Sequence, residues 1–97
     1  MTKAELTQEI SNKTGIDKRT VLTIIESLMT ELKKSLAQGE DVYLRGFGSF
    51  IIKRRATKTA RNISKNTTIL VPAHNIPAFK PSKEFTKDIS KLETIKN

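Results

Sequence analysis

Ninety-seven residues with 36% hydrophobic content make one modest domain, and 18 Lys plus Arg against 10 Asp plus Glu give a net charge of +8. Cysteine is absent, which excludes disulfides, thiolate metal sites and cysteine nucleophiles. The opening Met1-Thr2-Lys3-Ala4-Glu5 carries an acid at once and leads into no long apolar run, so neither a secretory signal nor a spanning helix is expected and the protein should be soluble.

Thr2 followed three residues later by Glu5 predicts a capping box, and Leu6 and Ile10 continue at helical spacing to a stop at Gly15. Asp17 is placed to cap a second helix. Along it Val21, Ile25, Leu28, Leu32 and Leu36 form a stripe, widened by Leu22, Ile24 and Met29, that runs until Gly39. This stripe is wider than one neighbour can cover. The period then changes, and Val42-Tyr43-Leu44-Arg45 and Phe50-Ile51-Ile52-Lys53 read as strands with Gly46 and Gly48 marking a tight connection. On the second strand Phe50 and Ile52 should face inward, and Lys53 and Arg55 should share the opposite face.

From Arg54 to Asn66 large apolar residues nearly vanish, leaving Ile63, while Thr57, Thr59, Thr67 and Thr68 keep strand propensity high. Such a stretch adds nothing to a core. Ile69-Leu70-Val71-Pro72 reads as a returning strand, so a two-stranded arm is expected over about 54–73, turning at Asn62 to Asn66. Ser82 is placed to cap a last helix with Phe85, Ile89 and Leu92 on one face, before a polar tail around Lys96 and Asn97.

The expected fold is a single α+β domain over 1–97. Its helical body covers about 1–40 and 82–95, and its antiparallel sheet and arm about 41–81. Without the arm about 75 residues remain, too few to bury the apolar face of the second helix alone. An obligate dimer with that helix near the two-fold axis is therefore expected, its core built from Ile25, Leu28, Leu32, Phe47, Phe50 and Phe79.

Between Val42 and Lys83 no acidic residue occurs, whereas Arg45, Lys53, Arg54, Arg55, Lys58, Arg61, Lys65, Lys80 and Lys83 are basic. The whole positive excess lies in this middle segment. A solvated surface normally mixes signs. An acid-free stretch repels itself and is tolerated most easily where a phosphate polymer neutralises it, so nucleic acid is the expected partner. The arm lacks aromatic platforms for stacking single-stranded bases, which favours double-stranded DNA over RNA.

Two other classes compete. Lys13-Thr14-Gly15-Ile16-Asp17-Lys18 joins two helices by a short turn, loosely like the helix-turn-helix of a sequence-specific regulator, although the positive excess lies elsewhere. A basic module docking on acidic proteins is the second, and lipid docking is disfavoured by the lack of a basic amphipathic helix. His74, the only histidine, has no sequence-local acid or nucleophile and reads as surface decoration, and Glu40-Asp41 reads as a turn or cap pair. No metal site, cofactor, active site or small-molecule substrate is expected.

Arg45-Gly46-Phe47-Gly48-Ser49-Phe50, Arg61-Asn62, Pro72-Ala73 and Ile76-Pro77-Ala78-Phe79-Lys80-Pro81-Ser82-Lys83 resemble the bacterial histone-like HU/IHF family in order and spacing. The resemblance spans Thr2 to about Ser90. It implies an intertwined dimer whose two β-ribbon arms curl around DNA along the minor groove, as the members of that family do. It further implies an architectural protein that bends and compacts DNA with little sequence specificity, as homodimer or heterodimer with a paralogue, in the cytoplasm at the bacterial nucleoid. A site-preferring member stays open as an alternative.

On the arm, Lys53, Arg55, Lys58, Arg61 and Lys65 are the basic candidates. Arg55 and Arg61 lead, because arginine gains most from the negative potential of a narrow minor groove. The resemblance puts Arg61-Asn62 at the tip and makes the next residue an intercalating wedge. Most members carry proline there, and this chain carries Ile63, also an apolar side chain able to unstack a base step. Ala60 and Asn66 stand where the family usually has glycine. Gly46, Gly48 and Ser49 are candidates for backbone approach to phosphate, and Lys3, Lys80 and Lys83 for contacts on the body.

Overall fold

The computed structural model describes residues 1–62 and 67–92. Helix α1 (Lys3–Thr14) starts where the Thr2 hydroxyl accepts the Glu5 amide at 3.2 Å, and ends where Gly15, at φ 74°, donates to the Ser11 carbonyl at 2.9 Å. Helix α2 (Lys18–Ala37) starts where the Asp17 carboxylate accepts the Arg19 amide at 3.1 Å. Gln38 caps its end, and Gly39 at φ 85° turns the chain into the sheet. These are the boundaries that the capping residues predict.

Strand β1 (Val42–Leu44) pairs antiparallel with β2 (Gly48–Arg55) through a turn in which Gly46 takes φ 84° and the Phe47 amide donates to the Leu44 carbonyl at 2.9 Å. The other side of β2 pairs with β5 (His74–Pro81), in the order β1-β2-β5. Between β2 and β5 the chain runs out and back as β3 (Lys58–Asn62) and β4 (Thr67–Val71), a separate two-stranded ladder. The β2–β5 ladder ends at the pair Arg55 and His74, and the distal one begins at Lys58 and Val71. Across the gap the Ala73 amide donates to the Thr57 hydroxyl at 3.0 Å. The arm is thus a ribbon in two parts, and the turn expected between Asn62 and Asn66 falls on 63–66, outside the described residues.

Strand β5 contains Pro77 and Pro81, which a central strand would not tolerate. It is an edge strand, and the direction of the missing N–H groups explains the rest. The Ile52 amide donates to the Asp41 carboxylate at 3.0 Å, on the β1 side of β2. Ile52 and its partner Pro77 are therefore a pair that exchanges no ladder bonds, and the nitrogens of Pro77 and, four residues on, Pro81 face outward from the sheet. Asp41, expected as a turn or cap residue, acts here by occupying a ladder position beyond the start of β1.

Helix α3 (Lys83–Ser90) is capped by the Ser82 hydroxyl, which accepts the Phe85 amide at 3.1 Å and donates to the Gly46 carbonyl at 3.0 Å. Leu92, read as part of this helix, lies beyond its end, its amide bonded to the Ile89 carbonyl at 3.0 Å. Phe47, Phe50, Phe79 and Phe85 cluster under the sheet, with ring centroids from 4.9 to 6.1 Å apart. Even so, Val21 is the only buried hydrophobic side chain among the described residues.

Gly48 is buried, and a Cβ there would stand 2.6 Å from the Lys80 carbonyl oxygen and 2.7 Å from the Phe79 ring. Backbone cannot yield as a side-chain end can, so Gly48→Ala should lower unfolding free energy by about 1–3 kcal/mol. Thr2→Ala removes only a helix cap and should cost about 1 kcal/mol. Urea unfolding of the two variants beside the parent checks both values.

Candidate nucleic-acid interface

Opposed residues of an antiparallel pair share a face, so the β2–β5 register sorts the side chains of this sheet. One face carries Phe50, Ile52 and Phe79 and is turned toward α2. The other carries Ser49, Ile51, Lys53 and Arg55 of β2 opposite Lys80, Ala78, Ile76 and His74 of β5, with Tyr43 of β1 beside Ser49. Lys53, Arg55, His74 and Lys80 are exposed, and none of the residues that β1, β2 and β5 place on this face is acidic. The inward and outward parity read from β2 alone is what the register produces.

Lys80 and Ser49 also line an open cleft with Arg45, Lys83 and Tyr43, at the end of the sheet nearest α3. The structure thereby brings together Arg45, Ser49, Lys80 and Lys83 on the body, and Lys53 and Arg55 at the base of the arm. Lys58 is exposed at the start of β3, and Arg61 and Asn62 lie toward its far end. Ile63 and Lys65 fall outside the described residues.

Lys3 is elsewhere. Its Nζ lies 3.2 Å from Glu26 Oε1, joining α1 to α2, and both side chains are about half exposed. Such a surface pair contributes little stability, yet Glu26 holds the Lys3 charge within the chain. Gly46 and Gly48 have roles independent of any ligand: the first supplies a positive φ, and the second the space taken by Phe79 and Lys80. The turn between them is anchored to α3, since the Ser82 amide donates to the Phe47 carbonyl at 2.9 Å.

Two residues on the basic face were not singled out as DNA-binding by sequence: Tyr43, which is 73% exposed, and His74. The signal that finds His74 is its pairing with Arg55, which requires the register of a strand far off in sequence. Its Nδ1 lies 2.9 Å from the Pro72 carbonyl oxygen. Among the described residues no group of three His, Cys, Asp or Glu side chains is placed to hold a metal ion, and no helix is long and apolar enough to cross a membrane.

Comparison with known proteins agrees with this geometry. The family model described as bacterial DNA-binding protein matches residues 1–90. The DNA-binding protein HU of Thermus thermophilus is 33% identical over 91 residues, covering 94% of each chain. The integration host factor subunit beta of Marinobacter nauticus is 36% identical over 91 residues, covering 93% of each. Among solved structures, a cocrystal of Anabaena HU with DNA superposes with a TM-score of 0.88 at 28% identity, covering 93% of this chain and 98% of that one. An α+β chain with an acid-free sheet face drawn out into a β-ribbon, matched over nearly its full length, belongs to the bacterial DNA-binding protein family of HU and integration host factor, whose members are architectural DNA-binding proteins and not enzymes.

Proposed function

We propose that two copies of this chain, or one copy and a paralogue, form an intertwined dimer that clamps duplex DNA between its arms and bends it with little sequence specificity. The observation that carries this reading is the acid-free face on which Lys53, Arg55 and Lys80 stand together, continuous with a ribbon carrying Lys58 and Arg61. Phosphate contacts from such a face give affinity without reading bases. In this reading the arms follow the minor groove, with Arg55 and Arg61 as principal contacts and Lys53, Lys58, Lys65 and Asn62 beside them. Gly46, Gly48, Ser49, Lys80 and Lys83 flank the DNA on the body, and Lys3 joins them once it leaves Glu26. Bound DNA places the protein at the nucleoid, in the cytoplasm.

The dimer is supported by what one chain leaves uncovered. Leu28 is 49%, Phe47 45% and Phe79 39% exposed, and Ile25, Leu32 and Phe50 are only half-buried. Met29, Leu32, Leu36, Phe50, Ile52 and Pro77 line an open apolar groove between α2 and the sheet. A second copy seated there closes the core. Sedimentation at micromolar concentration should give a folded dimer, and a folded monomer would overturn this arrangement.

Bending is tested with a duplex of about 30 base pairs carrying donor and acceptor dyes at its ends, intact and nicked, across a salt series. The ends should approach on binding, the nicked duplex should bind more tightly, and affinity should fall steeply with salt. Salt-sensitive binding without end approach would mean that the arms only coat DNA.

Ile63 is the proposed wedge, by its place between β3 and β4 and by the apolar chemistry that unstacks a base step. Ile63→Ala should reduce end approach more than affinity, and equal reductions would count against the wedge. Neutralising Arg55 and Arg61 together should weaken binding to all sequences. In a dimer it should lower the salt slope by about 4, close to one unit for each phosphate that is no longer neutralised.

A further inference from the structure

We propose that His74 is a DNA contact at the base of the arm, one that engages phosphate only in its doubly protonated form. The inference rests on the DNA-binding reading above and adds to it a dependence on pH.

The first support is position. His74 is exposed and is the cross-strand partner of Arg55, so the two side chains leave the same face of the ribbon about 5 Å apart at Cβ. Lys53 is the diagonal neighbour on β2. At the end of the ladder the adjoining residues are Ala56, Thr57, Pro72 and Ala73, none of which titrates, and the next charged side chain along the arm is Lys58. The segment from Val42 to Lys83, which includes the whole of β2 and β5, contributes no carboxylate beside the imidazole. A phosphate bound by Arg55 therefore lies within reach of the His74 ring.

The second support is the hydrogen bond to Pro72. A carbonyl oxygen can only accept, so in this 2.9 Å contact Nδ1 carries the hydrogen. The neutral ring consequently presents Nε2 as a bare acceptor. Phosphate oxygens are also acceptors, so the neutral ring offers them no hydrogen bond and turns a lone pair toward them. A second proton converts Nε2 into a donor and adds a positive charge in one step. The bond to Pro72 is kept throughout, so the ring need not turn over to make the new contact. Binding of DNA and uptake of a proton at His74 then favour one another.

Acidification that adds the second proton to the His74 ring therefore strengthens DNA binding. A dimer carries two such residues, so affinity should rise on the order of three- to tenfold from about pH 8 to about pH 5.5, with a salt slope steeper by about 2 at the lower pH. The experiment measures duplex affinity at constant ionic strength across that range for the parent protein, His74→Asn and His74→Lys. Calorimetry in two buffers of different ionisation enthalpy reads the protons taken up.

His74→Asn should lose the rise in affinity, the steeper slope and the proton uptake. His74→Lys should bind at the upper pH about as tightly as the parent does at the lower, with little pH dependence. Every other titrating group is common to the three proteins, so their difference isolates position 74. Identical pH profiles for the parent and His74→Asn would overturn the inference while leaving DNA binding intact. Failure of the parent to bind at any pH would instead overturn the functional reading on which it rests.

Discussion

The pairing of Gly48–Arg55 with His74–Pro81 is the constraint on which the rest of the molecule turns. Side chains alternate along each strand, so this register alone decides that Phe50 and Phe79 meet under the sheet while Lys53, Arg55, His74 and Lys80 emerge above it. A slip of one residue would exchange the two sets, sending cations against α2 and aromatics into water. Gly48 helps to hold the register, because the Phe79 ring and the Lys80 carbonyl occupy the space where any larger residue would put its Cβ. Ser82, bonded both to the Gly46 carbonyl and within the first turn of α3, fastens the end of the same ladder to the turn before β2.

From this register comes a division of labour between the two faces. The lower one gathers an aromatic cluster but does not finish a core: the apolar stripe of α2 lies along an open groove, and one chain buries very little. The upper face has no need of a core and gathers charge without counter-charge. The radius of gyration of 18.7 Å, against about 13 Å for a compact domain of this length, reflects the same choice of reach over burial. A polymer partner supplies what each face lacks in isolation, protein on one side and phosphate on the other.

Much of this was legible in the sequence, because the signals were local. Thr2, Gly15, Asp17 and Ser82 mark helix ends through hydrogen bonds to residues two to four positions away. The gap in acidic residues needs no structure at all. What escaped was set by partners distant in the chain. Strand β5 lies within the sheet and arm expected over about 41–81, but its own bounds follow from pairing with β2 at an edge, where the nitrogens of Pro77 and Pro81 face outward, and not from a local pattern. That exposed His74 stands opposite Arg55 is also set by the register, and its neighbours in sequence give no sign of it. The interruption of the arm at Thr57 and Ala73 likewise depends on where two ladders stop, which the strand propensity of Thr57, Thr59, Thr67 and Thr68 does not encode.

The prolines of β5 have a consequence wherever several molecules bind one stretch of DNA. An edge strand is an invitation to another strand, and molecules lined up side by side on DNA would be held close enough to accept it. Along the outer edge of β5 the amides that face away from the sheet are those of Asn75, Pro77, Phe79 and Pro81, and two of these four positions have no hydrogen to give. A stranger's strand laid there would leave carbonyls unanswered at alternate steps. The sheet can thus be long enough to carry an arm without becoming a template for fibres.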